Sequence, residues 1–150
     1  MRIVIQRVSE AGVAINNTIV GEIQNGLLIL LGIEHEDTKE DANYLIQKIT
    51  ALRIFNDDNG KMNRSITEIN GSFLVVSQFT LHASTKKGNR PSFINAARPE
   101  VAIPLYEYFK GQLKEFSNCE VESGEFGATM KVKLINDGPV TLIMDSKRKE

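Results

Sequence analysis

The chain has 150 residues, a formal net charge of −1 and one cysteine, Cys119. Its length is typical of one domain with a real hydrophobic core, so we expect a single domain over residues 1–150. Near-neutral charge disfavours a protein that coats nucleic acid over its whole surface, and one cysteine excludes an intramolecular disulfide. No apolar run approaches the ~20 residues that cross a bilayer, and charge interrupts residues 1–7, so we expect a cytoplasmic globular protein without a secretory signal.

The first third of the chain predicts three strand-forming regions. Residues 3–8 form an apolar run typical of a buried strand. Residues 13–20 carry Asn16 and Asn17 at their centre, which predicts a hairpin with a tight turn. Residues 26–33 are continuously apolar and contain a glycine near each end, which favours a central strand.

A first helix is predicted after these strands. Asp37 is the expected N-cap, and Glu40 stands three residues later as its capping-box partner. Apolar residues then recur at helical spacing from Ala42 to Leu52, so one stripe of this helix should pack on a sheet. Residues 56–60 have the composition of a turn.

The second half predicts further strands and one more helix. Residues 73–76 form a buried strand, and residues 82–95 form a long loop of the kind that is usually functional. A helix begins near Pro99 and continues through Leu113, but Pro104 requires either a later start or a bend.

The C-terminal part predicts two strands, at residues 130–135 and 140–144, and a charged tail at 145–150 that frays. Strands and helices alternate in blocks along the whole chain. This order indicates an α/β or α+β fold with a mixed sheet.

Side chains that usually carry catalysis are few. His35 and His82 belong to no zinc-binding motif, so no metal site is predicted. His82 follows Thr80 by two residues, and a strand would place both on one face, which makes a Thr–His pair conceivable although no third orienting group is visible. Cys119 has no activating base nearby and is expected to be structural.

Two polar segments at strand ends carry the functional hypotheses. Residues 77–80 either satisfy a loop with their polar groups, or free the backbone N–H groups of Phe79 and Thr80 to hold an oxyanion. Gly138 and Pro139 form either an ordinary turn or a rigid element that presents backbone carbonyls. Residue spacing alone leaves both pairs of alternatives open.

The chain resembles the D-aminoacyl-tRNA deacylase family along essentially its whole length. Several signatures occur in the family's order, which makes the resemblance far more specific than any single motif. The matching segments are MRIVIQRV at 1–8, SQFTL at 77–81, GNRPSF at 88–93, GEFGATM at 124–130 and NDGPVT at 136–141.

The resemblance implies an α/β fold with mixed, largely antiparallel, barrel-like sheets and two main helices. It also implies a homodimer with its active site at the subunit interface and no cofactor. The enzyme would hydrolyse D-aminoacyl-tRNA to free D-amino acid and tRNA. It would also accept glycyl-tRNA mischarged on tRNA(Ala), because glycine has no side chain to exclude.

The family pattern also assigns roles to residues of this chain. Catalysis would fall to Ser77, Gln78, Phe79 and Thr80, with the Phe79 and Thr80 backbones polarising the ester carbonyl. A cis Gly138-Pro139 bond would enter the partner's pocket and sterically exclude L-amino acids. Further expected substrate contacts are Phe126, Met130, Arg90, Pro91, Ser92 and Phe93, and expected tRNA contacts are Lys86 and Lys87.

The mechanism stays open between two routes. Thr80 could act as a nucleophile, or the 2′-hydroxyl of the terminal ribose could assist attack by water. We favour the second route because threonine without an adjacent base is a poor nucleophile. Competing hypotheses are a small-ester hydrolase that uses Thr80 and His82, and a non-catalytic RNA-binding dimer.

Overall fold

The structure, a computed structural model, describes residues 1–149. Two α-helices and a short 3₁₀ helix accompany eight strands. The strands are β1 (Arg2–Ile15), β2 (Thr18–Ile23), β3 (Gly26–Gly32), β4 (Phe55–Asn56), β5 (Met62–Arg64), β6 (Ser72–Ser77), β7 (Val121–Ser123) and β8 (Lys131–Asp145). The helices are α1 (Lys39–Ala51), the 3₁₀ helix (Phe79–His82) and α2 (Pro99–Ser117).

Strand β1 organises the main sheet. Its order is β2-β1-β3-β6-β7, and β8 also pairs with β1. The pairs β1–β2, β1–β3 and β1–β8 are antiparallel, whereas β3–β6 and β6–β7 are parallel. Strands β2 and β7 approach so closely that a Cβ on Gly21 would lie 2.8 Å from Ser123 O. The expected mixed, largely antiparallel and nearly barrel-shaped sheet with two main helices is confirmed.

Strand β3 contributes to two apolar clusters because its side chains alternate between its faces. Leu27, Ile29 and Leu31 belong to the cluster that contains the buried residues of α1 and α2. Leu28 belongs to the second cluster, which fills the barrel between β1, β2 and β6. Burying each such side chain stabilises the fold by about 1.5–3 kcal/mol, so this strand is the rigid centre of the molecule.

Helix α1 begins one residue later than the sequence indicated. Thr38 is its N-cap, and the Thr38 backbone N–H donates to Asp41 Oδ2 over 2.8 Å. The predicted cap Asp37 and its predicted partner Glu40 are therefore wrong. Asp37 is buried instead, and it accepts hydrogen bonds from the Met1 ammonium group and from the backbone N–H of Glu34.

Two pairs of predicted strands are single long strands. The turn at Asn16 and Asn17 is confirmed, with φ values of 50° and 64°, but the strand that precedes it runs unbroken from Arg2. Strand β8 likewise spans both predicted C-terminal strands. In the antiparallel ladder between β1 and β8, Gln6 pairs with Thr141, and Val8, two residues later, pairs with Asn136. Residues 137–140 of β8 therefore have no place in the ladder and bulge out of it, instead of forming a turn between two paired strands.

The remaining predictions for the second half are resolved as follows. Helix α2 begins at Pro99, so the alternative of a later start is wrong, and Pro104 lies within the helix. The predicted loop at 82–95 is closed by paired backbone hydrogen bonds between Ser84 and Ser92 of 2.8 and 2.9 Å. No helix within residues 1–149 is both long and apolar enough to cross a membrane.

The prediction that the C-terminal tail frays is wrong for its first residues, which are held by hydrogen bonds. The Ser146 backbone N–H donates to Met1 O over 2.9 Å, and the Met1 ammonium donates to Ser146 Oγ over 3.0 Å. Lys147 Nζ donates to Glu36 O over 2.9 Å. These contacts fix the end of β8 beside the start of β1, and Glu150 lies outside the described residues.

Asp145 should make a pH-dependent contribution to stability. Partial burial opposes its ionisation, but hydrogen bonds from the backbone N–H groups of Lys147 and Arg148 and from Arg2 outweigh this and hold the pKa of Asp145 below its usual range. Because that pKa is lower in the folded protein than in the unfolded chain, the stabilisation is complete above about pH 4 and is lost as pH falls through the folded value.

We expect Asp145→Asn to lower the free energy of unfolding by about 1–2 kcal/mol at pH 7. The deficit should shrink in urea titrations below about pH 4, where the wild-type carboxylate also becomes neutral. Glu125→Gln, at an exposed position, is the control and should cost little. A deficit that stays constant down to pH 3 would contradict an ionic role for Asp145.

Candidate functional site

Strand β6 ends where the candidate site begins. The Gln78 backbone N–H donates to Leu31 O over 2.8 Å, and the chain then turns into the 3₁₀ helix. The first N–H groups of a helix have no partner within it. Within the described chain, no hydrogen bond is found for the backbone N–H of Phe79 or of Thr80. The structure therefore presents the two adjacent donors that the oxyanion hypothesis requires.

A cavity of about 230 Å³ lies beside the first of these donors: Phe79 lines it, whereas Thr80, the next residue, does not. It brings together the predicted residues Ser77, Gln78, Phe79 and Met130, although Met130 is distant from the other three in sequence. Gly124 makes room for Met130, because an added Cβ there would overlap Met130 Sδ. The cavity is lined by Val76, Ser77, Gln78, Phe79, Gly127, Ala128, Met130 and Val132.

Aromatic residues flank the cavity in two ways. The exposed ring of Phe93 packs edge-on against Phe79, with centroids 5.1 Å apart and planes at 71°. Phe126 lies outside the cavity lining and packs against Tyr106 at 5.7 Å. Tyr106 is buried and donates to Val75 O over 3.0 Å; burial raises the pKa of Tyr106 to about 12, so it stays neutral and structural.

The loop after the 3₁₀ helix carries most of the remaining predicted contacts. Of its predicted contacts, Phe93 reaches the candidate site through its contact with Phe79. The others stand exposed on the loop; they are Lys86, Lys87, Arg90, Pro91 and Ser92.

The conceivable Thr80–His82 pair is not formed. Both residues lie on a 3₁₀ helix, not a strand, so the argument from strand alternation does not apply. Thr80 is exposed, and its hydroxyl accepts a hydrogen bond from the Gln78 amide. His82 is buried, with Nδ1 3.2 Å from Glu34 Oε1. Sequence reasoning missed Glu34, whose partner is distant in the chain.

Gly138 and Pro139 form the exposed tip of the bulge in β8, joined by a cis peptide bond. The Arg7 guanidinium is buried beneath them; its Nε donates to Asp137 O and its Nη1 to Ile54 O, both over 2.7 Å. Neither Gly138 nor Pro139 lines the cavity of its own chain.

The bulge is closed from within by Asn136. Its Oδ1 accepts the Val140 N–H over 2.8 Å, and its Nδ2 donates to Val140 O over 3.2 Å. Sequence reasoning missed Arg7 and Asn136 as supports of the bulge. The available signal was an arginine inside a buried apolar strand, which must find partners because burying an unpaired charge is costly.

No metal centre is found in the described part of the chain, because no three His, Cys, Asp or Glu side chains come together there. Cys119 is half-buried beside Ser117 at the end of α2. The candidate site therefore offers main-chain donors, amide and hydroxyl groups, and an apolar wall.

Comparison with known proteins gives a consistent family. The family model described as D-Tyr-tRNA(Tyr) deacylase matches residues 4–145. Proteins named D-aminoacyl-tRNA deacylase from Akkermansia muciniphila, Flavobacterium psychrophilum and Phocaeicola vulgatus are 63%, 61% and 59% identical over 150 residues, covering 100% of both chains in each case.

Two solved structures have the same fold. The c-Myc DNA Unwinding Element Binding Protein superposes with a TM-score of 0.90 at 38% identity, covering 97% of this chain and 98% of that one. A structure described as a probable eukaryotic D-amino acid tRNA deacylase has a TM-score of 0.82 over 96% and 98% of the two chains, and at 18% identity it supports the fold alone. With the family model matching nearly the whole chain and relatives sharing more than half of its residues, this protein belongs to the D-Tyr-tRNA(Tyr) deacylase family.

Proposed function

We propose that this protein is a D-aminoacyl-tRNA deacylase, which hydrolyses the ester that links a D-amino acid to tRNA and releases both products. Membership of the family supports the reaction class. The observation that carries the proposal is the pair of adjacent backbone donors, Phe79 and Thr80, just after β6, the first of which lines a cavity of about 230 Å³. The cavity is lined largely by apolar groups, among them Val76, Met130 and Val132, which suits an aminoacyl group.

Catalysis would rest on main-chain polarisation. As water attacks the ester carbonyl, negative charge develops on its oxygen, and the N–H groups of Phe79 and Thr80 stabilise it. One such donor is typically worth on the order of 10²–10³ in rate. The Thr80 hydroxyl is held by Gln78 and has no imidazole beside it, which favours assistance by the 2′-hydroxyl of the terminal tRNA ribose over an acyl-threonine intermediate.

Selectivity would require a second copy of the chain. The Gly138-Pro139 tip is exposed and outside its own cavity, so we propose that it enters the cavity of a partner in a homodimer. Strand β8 is an edge strand, and Ile135 and Ile143, on either side of the bulge, are 51% and 70% exposed. Such apolar exposure favours an interface.

Within that assembly the tip would leave no room for an L side chain. D-aminoacyl esters would be accepted, and glycyl-tRNA would be accepted as well because glycine has no side chain to reject. A tRNA substrate would be met in the cytoplasm, where we propose that the enzyme acts. Lys86, Lys87 and Arg90 would contact its 3′ end.

The test is deacylation of D-Tyr-tRNA and L-Tyr-tRNA by purified protein in the presence of EDTA. Rapid loss of the D ester with the L ester spared is the expected outcome. Equal loss of both esters would contradict the exclusion filter. Binding of tRNA without hydrolysis of either ester would replace the enzyme by a nucleic-acid-binding protein.

Gly138→Ala should disturb substrate fit. Gly138 has φ +147°, and an added Cβ would lie 2.8 Å from Val140 Cγ2 and 3.1 Å from Arg7 Nη2, so the bulge must move. A displacement of about 1 Å can cost about 10²-fold in rate, and we expect a loss of that order in kcat/KM for D-Tyr-tRNA. Gly60→Ala is the matched control, since Gly60 also has positive φ, +75°, but no atom within 4 Å of the added Cβ. Equal activity of both variants would remove the role of the tip.

Thr80→Ala should retain activity within about tenfold of wild type, because the backbone N–H that polarises the carbonyl remains. Single-turnover rates on D-Tyr-tRNA, together with circular dichroism to verify folding, measure this. A loss of about 10⁴-fold or more in a folded protein would support the nucleophile route instead.

A further inference from the structure

A polar cavity of about 420 Å³ lies at the opposite end of the 3₁₀ helix from the candidate site. It belongs to neither the donor pair nor the Gly138-Pro139 bulge, and of the residues singled out in the sequence only His82 and Lys86 line it. Its charged and polar walls include Arg2, Glu34, His82, Lys86, Asn95 and Arg148.

The positive charges of this cavity are unequally committed. Arg2 is fully used, with Nε and Nη2 at 3.1 and 3.0 Å from Asp145 Oδ2 and Nη1 donating to Leu81 O over 2.8 Å. The side chains of Lys86 and Arg148 make no hydrogen bond or ion pair with any part of the described chain. Two free cations therefore face the same cavity, opposed by the carboxylate of Glu34.

His82 adds a second observation. It is 4% exposed, its Nδ1 is held by Glu34, and its Nε2 is a buried side-chain polar atom without a partner in residues 1–149. Buried polar atoms are nearly always satisfied by protein, water or ligand. A residue that lines the cavity thus carries a buried, unpaired nitrogen, beside two cations without partners.

The cavity and the donor pair are separated by one short helix. Phe79 lines the cavity of the candidate site and His82 lines the polar cavity, and a 3₁₀ helix rises about 2 Å per residue, so these two residues are about 6 Å apart along its axis. This is the scale of a single nucleotide. An ester held at Phe79 and Thr80 would leave the rest of its nucleotide to extend toward Lys86 and Arg148.

We propose that this polar cavity binds the phosphate of the substrate's 3′-terminal nucleotide, with Lys86 and Arg148 as its cationic contacts. The inference rests on the proposed function and adds a phosphate subsite to it. A phosphate suits the cavity because lysine and arginine both form charge-assisted hydrogen bonds with phosphate oxygens, and Arg148 can do so through two N–H groups at once.

The experiment compares two small substrates. One is the 3′-D-tyrosyl ester of adenosine, and the other is the same ester of adenosine 5′-monophosphate. We expect kcat/KM to be at least about tenfold higher for the phosphorylated ester than for the adenosine ester, because a charge-assisted hydrogen bond contributes about that much binding free energy. Measuring the ratio of the two rates cancels any difference in the active fraction of the protein.

Arg148→Gln and Lys86→Gln should each bring this ratio several-fold closer to one. Lys114→Gln is the matched control, because Lys114 is an exposed lysine on α2 that lies outside the cavity, and its ratio should stay at the wild-type value. Adding inorganic phosphate at constant ionic strength distinguishes a substrate phosphate from a free anion. Only the reaction of the phosphorylated ester should be inhibited if both compete for one subsite.

Three outcomes would overturn the inference while leaving the proposed function in place. These are equal rates for the two esters, a ratio that neither substitution changes, and inhibition of both esters alike by inorganic phosphate. Failure to hydrolyse D-Tyr-tRNA would instead overturn the proposed function itself, whereas hydrolysis of D-Tyr-tRNA but of neither small ester would overturn the single-nucleotide phosphate subsite alone. The two levels of the proposal therefore fail in distinguishable ways.

Discussion

The buried guanidinium of Arg7 is the interaction on which the shape of the candidate selectivity element depends. A buried arginine is tolerated only when its N–H donors have acceptors, because burying the charge without them destabilises the fold by several kcal/mol. Here two of the Arg7 donors have backbone acceptors, the carbonyl oxygens of Asp137 and Ile54, both at 2.7 Å. Strand β1, the bulge of β8 and the segment after α1 must therefore assemble together, and the position of Gly138 follows from that assembly.

The same strand fixes the other half of the site through a chain of pairings. Strand β1 pairs with β3, β3 pairs with β6, and the last bond of that ladder joins Gln78 to Leu31. Gly32 then lets the 3₁₀ helix pack against β3, since a Cβ there would lie 3.0 Å from both Leu81 Cβ and His82 Cδ2. The two backbone donors are thus held by the core, and such rigidity is what preorganised polarisation of a carbonyl requires.

Sequence patterns predicted the elements better than their partners. The Asn16-Asn17 turn and the apolar stripes of both helices follow from local rules. Local rules did not distinguish Asp37 from Thr38 as the cap of α1, because each is followed three residues later by an acidic residue. The choice is made by the Met1 ammonium, which binds Asp37 across the fold, and no local window contains that contact.

The candidate site is difficult to find from side chains because its proposed chemistry uses the backbone. A search for nucleophiles and bases leads to Thr80 and His82, which the fold separates into an exposed hydroxyl and a buried imidazole held by Glu34. Main-chain N–H groups are present at every non-proline residue, so only the end of a strand or the start of a helix makes them available. What the sequence encodes at residues 77–80 is therefore the point where a ladder stops. Only recognition of the family motifs, or the structure itself, identifies that point as a candidate reaction centre.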